Sequence, residues 1–239
     1  MTYTGAAMTH ERRLPLALAP LAVLPALLLT AAAPVPAPLR DRIVADAAAA
    51  PPSTLAFERG TRSVRTGGGM TTNVNTVDRW DGTRWTLVSL LGKPPTPAER
   101  HDHGRQVTLI PVPGYYQLGP IIAAATASSV DAQGRTILTI PVLPADAVRT
   151  DSGDISDHLQ AEARLARRGD LVWVDQLHVT AREPFRMSML IKVSSFDQTS
   201  EYQLAPDGTP RLVSQKSESV GSMFGFPGGE KAQVTFTYR

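Results

Sequence analysis

Nine residues, FRMSMLIKV at 185–193, constrain the fold of this chain most strongly. Phe185, Met187, Met189, Ile191 and Val193 recur at every second position. Arg186, Ser188 and Lys192 stand between them, with Leu190 as the exception. A helix would scatter the first set around its circumference, whereas a strand gathers it on one dry face. The same period runs through LVWVDQLHV at 171–179, where Leu171, Trp173, Leu177 and Val179 share parity against Gln176 and His178. It continues in SFDQTSEYQL at 195–204 (Phe196, Tyr202 and Leu204 against Asp197, Glu201 and Gln203) and in QVTFTY at 233–238 (Val234, Phe236 and Tyr238). Residues 83–91, 107–111 and 135–141 are further strand candidates. Asp81-Gly82, Gln133-Gly134, Arg168-Gly169-Asp170 and Asp207-Gly208 divide these runs at hairpin spacing.

Such a pattern predicts an antiparallel sheet with one covered face, an α+β fold that is mainly β. Residues 39–49 read as a short amphipathic helix that Pro51 and Pro52 end. Residues 115–130 are ambiguous, since their alanines favour helix while Gly119-Pro120 interrupts it. A short helical turn is expected over 154–159. These few helices are not spaced as crossovers of a parallel sheet, and no repeat indicates a propeller or solenoid.

Residues 1–33 read as a secretory signal peptide. His10, Arg12 and Arg13 precede an uncharged run at 14–33 that ends in small residues, with Ala32 or Ala33 as the last residue removed. The alternative is a retained amino-terminal membrane anchor, because about 20 apolar residues can span a bilayer. Pro15, Pro20 and Pro25 interrupt the run and favour cleavage. The expected destination is the periplasm of a Gram-negative bacterium, with residues 34–239 forming one soluble domain. The chain has no cysteine, which excludes disulfides, thiolate metal ligands and a cysteine nucleophile. Removing the leader takes two arginines and one glutamate from 24 basic and 22 acidic residues, leaving an excess of one positive charge. With charges interspersed and no basic stripe, nucleic acid is not an expected partner.

Taken together, an early helix, LAFERGTRSV at 55–64, DRWDGTRWTLVSLLGKPPTP at 78–97, LQAEARLARRGDLVWVDQLHV at 159–179 and FRMSMLIKVSSFDQTSEYQLAPDG at 185–208 resemble the superfamily of periplasmic lipoprotein carriers and receptors. The resemblance is nearest to uncharacterised exported relatives and covers most of 38–239. It implies a curved antiparallel sheet, or incomplete barrel, wrapped around a few helices. It also implies a lipid, an acylated peptide or an envelope protein as partner, with transient membrane contact. The chain departs from the acylated receptors in lacking a cysteine. SMFGFPGG at 222–229 is apolar enough to match a receptor's protruding loop, and reads equally as a connection before the last strand.

Trp173, Phe185, Met187 and Met189 are the candidate ligand-binding residues, methionine adapting readily to ligand shape. Core packing between sheet and helix is the simpler reading of the same four side chains. His101, Asp102 and His103 have the chemistry of metal ligands, yet no third ligand stands at a diagnostic spacing. Glu99, Arg100, Asp102 and Arg105, following Pro94-Pro95 and Pro97, read instead as a solvated loop. No Gly-x-Ser-x-Gly elbow exposes a serine. DSGDISD at 151–157 lacks the ligand spacing of a calcium loop, and TGGGM at 66–70 reads as a hairpin or mobile loop. No cofactor is implied. The expectation is a non-catalytic envelope protein binding a lipid, lipoprotein or other hydrophobic partner. Its alternative is a hydrolase, metal-assisted through the His101-Asp102-His103 region.

Overall fold

The computed structural model describes residues 32–107, 111–150 and 153–239. Residues 1–31, which carry nearly all of the expected leader, lie outside the described residues, as do 108–110 of the strand expected at 107–111 and residues 151–152. The chain runs β1 (Ala33–Pro34), α1 (Ala37–Ala48), β2 (Phe57–Gly67), β3 (Met70–Trp80), β4 (Trp85–Leu90), α2 (Pro97–Val107), α3 (Leu118–Ala123), β5 (Ala127–Val130), β6 (Thr136–Ile140), β7 (Arg149–Thr150) and β8 (Gly153–Asp154). It continues with β9 (Leu159–Arg168), β10 (Leu171–Ala181), β11 (Phe185–Arg186), β12 (Ile191–Leu204), β13 (Pro210–Met223) and β14 (Phe226–Tyr238). Short 3-10 turns cover Tyr115–Gln117 and Ser156–His158. Apart from the small β7–β8 hairpin, the strands form one antiparallel sheet in the order β1-β5-β6-β9-β10-β12-β13-β14-β2-β3-β4, with β11 branching onto β12. Among the described residues the fold is mainly β, with three helices, and the sheet is not closed.

The turn chemistry in the sequence builds the hairpins. Gly82, Gly134, Gly169 and Gly208 all adopt positive φ between paired strands, where a Cβ would be strained. At the first of these turns, Asp81 Oδ1 accepts hydrogen bonds from the Thr83 hydroxyl at 2.7 Å and from the Thr83 and Arg84 amides at 2.9 Å. Led by the hydroxyl bond, they hold its carboxyl well below the usual carboxylate range.

Helices α1 and α3 pack on each other over one face of the sheet. Ile43 and Ala47 from α1, with Leu118, Ile121 and Ile122 from α3, meet Leu138, Ile140, Leu159, Val174, Leu177 and Val179 from the sheet, all buried. The alternation in β10 is broken once. A bulge between Val174 and Gln176 shifts the register, so Val174 rather than Trp173 is buried in phase with Leu177 and Val179. The Tyr115 hydroxyl accepts the Val174 amide at 3.0 Å, and the Tyr115 ring meets Tyr202 edge to face at 5.5 Å. On the outer side, Arg164 grips Asp175 through two nitrogens at 2.7–3.0 Å.

Farther along the sheet the core thins. Phe57 contacts Trp85, Phe236 and Tyr238 at ring distances of 5.5–5.6 Å. Past Phe57, β2 buries only Ser63; β13 buries only Leu212, and β14 only Phe236. The far halves of these strands therefore form an exposed, mostly polar ribbon beyond the helix-covered body, with Val64, Val220 and, on the adjoining β3, Val74 among its exposed side chains. From Phe236 to Phe226 it runs ten residues, or about 30 Å.

The strand expected over 185–193 is instead a tight hairpin, in which Phe185 pairs with Val193 and Arg186 with Lys192. Ser188, on the polar side of the alternation, is the cause: its hydroxyl accepts the Leu190 and Ile191 amides at 3.2 Å and closes the turn. The hairpin ends beside the tip of β13–β14, where the Phe224 amide donates to the Leu190 carbonyl at 2.9 Å.

Candidate functional site

The end of the ribbon collects exposed apolar side chains. The β13–β14 turn is Phe224-Gly225, both at positive φ (52° and 82°), as in a type I′ hairpin. Glycine fits that conformation, but phenylalanine does not: a left-handed residue other than glycine costs roughly 1–2 kcal/mol. Phe224 recovers little by packing, being 64% exposed, and its neighbours Phe226 and Met223 are 63% and 53% exposed. On the adjoining hairpin Met189 is 90% and Leu190 50% exposed. Met70, also exposed, closes the β2–β3 hairpin at the same end, where Gly68-Gly69 makes the turn. Single exposed apolar residues are ordinary, whereas a contiguous group marks an interaction surface. Leu91 repeats the strained geometry (φ 51°) before Gly92, but β4 ends opposite Thr76, well short of this tip.

Register places the tip in successive rows. Met223 pairs with both Ile191 and Phe226. One row back, Arg186 pairs with Lys192, Lys192 with Ser222 and Ser222 with Pro227. The next row is Phe185, Val193, Gly221, Gly228 and Gly67. Its glycines are required by close approach: a Cβ on Gly228 would stand 2.5 Å from the Thr66 carbonyl oxygen, and one on Gly221 would run into that of Lys192.

The four expected ligand-binding residues are not brought together. Trp173 stands half-buried near the start of β10, its indole N–H without a partner among the described residues. Phe185 follows the far end of β10, twelve residues or roughly 40 Å of extended chain away. It is buried, stacked on the His158 ring at 4.4 Å. Met187 is half-buried, and Met189 extends from the turn. Only Met189 joins the exposed tip. Phe224 and Phe226, inside the SMFGFPGG stretch that reads equally as a protruding loop or a connection, carry more of it. The readable signal was an aromatic residue placed where a two-residue turn favours Asn or Gly.

The His-Asp-His stretch is helical, not a solvated loop. Thr96 and Glu99 form a capping box: the Glu99 carboxylate accepts the Thr96 amide at 2.6 Å and the Thr96 hydroxyl accepts the Glu99 amide at 3.3 Å. Pro97 opens the helix, as proline does at a first helical position. At about 100° per residue, His101 and His103 fall on different sides. His101 and Asp102 are exposed, and Asp102 pairs with Arg105 at 2.7 Å. His103 turns inward, bringing Nε2 to 3.1 Å from Asp78 Oδ2 but off the line of a directed hydrogen bond.

Asp78 is 1% exposed, and Arg59 chelates it at 2.9 and 2.7 Å while lying over the Trp85 ring at 4.2 Å. Burial lowers the His103 pKa, and the neighbouring Arg59 cation lowers it further, against the opposing pull of Asp78. This arrangement fastens α2 to β3. Among the described residues, no group of three His, Asp or Glu side chains converges as a metal site.

An open depression of about 450 Å³ lies over β2, β3, β13 and β14 between Arg62, Asn73, Asn75, Lys216 and Lys231. Val64, Val74 and Ala232 join these polar side chains in its lining, so it is a mixed surface on the ribbon, set back from the tip. Among the described residues no helix is long and apolar enough to cross a membrane. No family model, curated protein or solved structure matches the chain.

Proposed function

We propose that this chain is a non-catalytic envelope protein that holds a hydrophobic partner at the apolar end of its sheet. The partner is a lipid, the acyl group of a lipoprotein or another apolar surface. One observation carries the reading: Met189, Leu190, Met223, Phe224 and Phe226 are all at least half exposed on two adjoining hairpin tips. Evolution toward stability alone would remove both this exposure and the strain at Phe224; functional sites are where such local rules fail. An incomplete barrel of the lipoprotein-carrier kind belongs to the same proposal. It is supported by an antiparallel sheet with free edges and by α1 and α3 on one face. Export is supported by the apolar run at 14–33.

The space between helices and sheet is filled, Ile43, Leu118, Ile122, Leu138, Ile140 and Leu159 all being fully buried. The partner is therefore assigned to the tip rather than the interior. The hydrolase alternative has less to stand on, since His101, Asp102 and His103 do not face one point. A phospholipid carrying a photoreactive group in its acyl chain tests the reading in envelope preparations containing the full chain. Tryptic cleavage separates the two tips into peptides 187–192 and 217–231. Adducts are expected on both. Adducts confined to β10 and the helices would move the lipid inside and contradict the proposal.

A further inference from the structure

We propose that the surface received by the tip is an anionic phospholipid membrane, whose phosphates are bound by Arg186 and Lys192. This rests on the reading of the tip as a hydrophobic contact and specifies its partner. The two cations are direct cross-strand partners and both are exposed. Like charges placed opposite each other destabilise a strand pair, and neither forms an ion pair among the described residues. Arg186 instead donates to the Met189 carbonyl at 3.4 Å, holding its guanidinium along the turn.

No carboxylate occurs in residues 184–196, 219–229 or 66–77. The acids flanking these stretches on β13 and β14 are already matched, Glu218 by Lys231 and Glu230 by Arg65, each at 2.8 Å. Glu183 lies three residues before Arg186 on the approach from β10. The end of the sheet is thus apolar in front and cationic one row behind, with the Ser222 hydroxyl beside Lys192 as a further donor.

The spacing suits a membrane interface. Successive residues advance about 3.3 Å, so the cations stand roughly 3–7 Å behind Met223, Phe224 and Phe226. Interfacial segments bury their apolar side about 5–10 Å into the headgroup boundary, and long basic side chains reach back toward phosphate. A zwitterionic membrane would satisfy the apolar row but offers phosphates already balanced by their own headgroup cations, leaving the opposed pair without net counter-charge. An anionic one satisfies both.

The absence of cysteine allows one environment-sensitive label at Met189→Cys in the full chain. Titration would compare phosphatidylcholine vesicles with vesicles in which a third of the lipid is phosphatidylglycerol. Each basic residue near such a surface contributes roughly five-fold, so the pair contributes about 30-fold. Half-saturation is expected at about 30-fold less anionic lipid, a gain that shrinks in high salt. Arg186→Gln with Lys192→Gln should erase the gain, bringing half-saturation on the anionic vesicles to that on phosphatidylcholine. Relief of the like-charge pair should keep that variant folded. Equal half-saturation on both lipids would overturn the headgroup assignment while leaving the tip as a lipid contact. A label that stays in water with both vesicles would overturn both readings. One that shifts only with protein concentration would do the same and make a second copy the occupant.

Discussion

Replacing Phe224 by Asn should make the protein more stable and a weaker binder. The residue sits at φ 52° in a two-residue turn, where Asn is better tolerated than any bulky side chain. Relieving part of a roughly 1–2 kcal/mol strain gives about 1 kcal/mol of stability, or about 2–4 °C in Tm for a chain of this size. The opposite effect falls on binding. An aromatic side chain offers roughly 200 Å², and Phe224 is 64% exposed. About 130 Å² is then free to leave water, about 3 kcal/mol at 25 cal/mol/Å². Complete insertion makes Phe224→Asn about 150-fold weaker in Kd. Urea unfolding measures the first effect, read as a higher midpoint at unchanged m-value. Titration with vesicles, followed by a label at Met189→Cys, measures the second. Leu91→Asn is the internal control: the same strained geometry at φ 51° gives the same gain in stability, with lipid binding unchanged. Loss of stability in Phe224→Asn would show that the ring packs within the monomer. A gain in stability with unaltered binding would show that the tip is not the contact. Either result refutes the argument.

Asp78→Ala should cost about 3–5 kcal/mol in urea unfolding, since it strands the Arg59 guanidinium in a largely buried place; a loss below about 1 kcal/mol would contradict the buried-pair account. His103, whose folded pKa is lowered from 6.5, contributes stability above that value that is lost as pH falls, because the unfolded chain takes up the proton first. The wild-type urea midpoint should therefore fall more steeply below pH 6.5 than that of His103→Asn; parallel profiles would remove His103 as the cause. Gly228→Ala should cost about 1–3 kcal/mol, because its Cβ has no room beside the Thr66 carbonyl; a neutral result in thermal unfolding would show that the ribbon flexes there.

Strand period and turn residues made the sheet legible in the sequence. QVTFTY places Val234, Phe236 and Tyr238 together as expected, and each expected glycine turn joins two paired strands. What failed was local. In 185–193 the period-two pattern extends across a turn, because Ser188 can either alternate or close a hairpin and pairing with β13 decides between them. In β10 one bulge reverses the assignment of Trp173 and Val174, and a bulge leaves the apolar spacing almost intact. The helix at Pro97–Val107 was present as Thr-Pro-Ala-Glu, a capping box, but the surrounding prolines and charges favoured a loop reading. The candidate site was the least legible. Phe185, Met187 and Met189 looked like one wall because they alternate, whereas the tip is assembled from two hairpins whose adjacency exists only once β12 pairs with β13.

The most direct test of the account is paramagnetic broadening of backbone amides by a spin label carried in the lipid acyl chains of an anionic nanodisc. The expected result is selective loss of signal at Met189, Leu190, Met223, Phe224 and Phe226, with Asp170 and Asp207 unaffected at turns on the opposite end of the sheet. Uniform signals throughout, or broadening centred on α1, α3 and β10 with the tip unchanged, would contradict it.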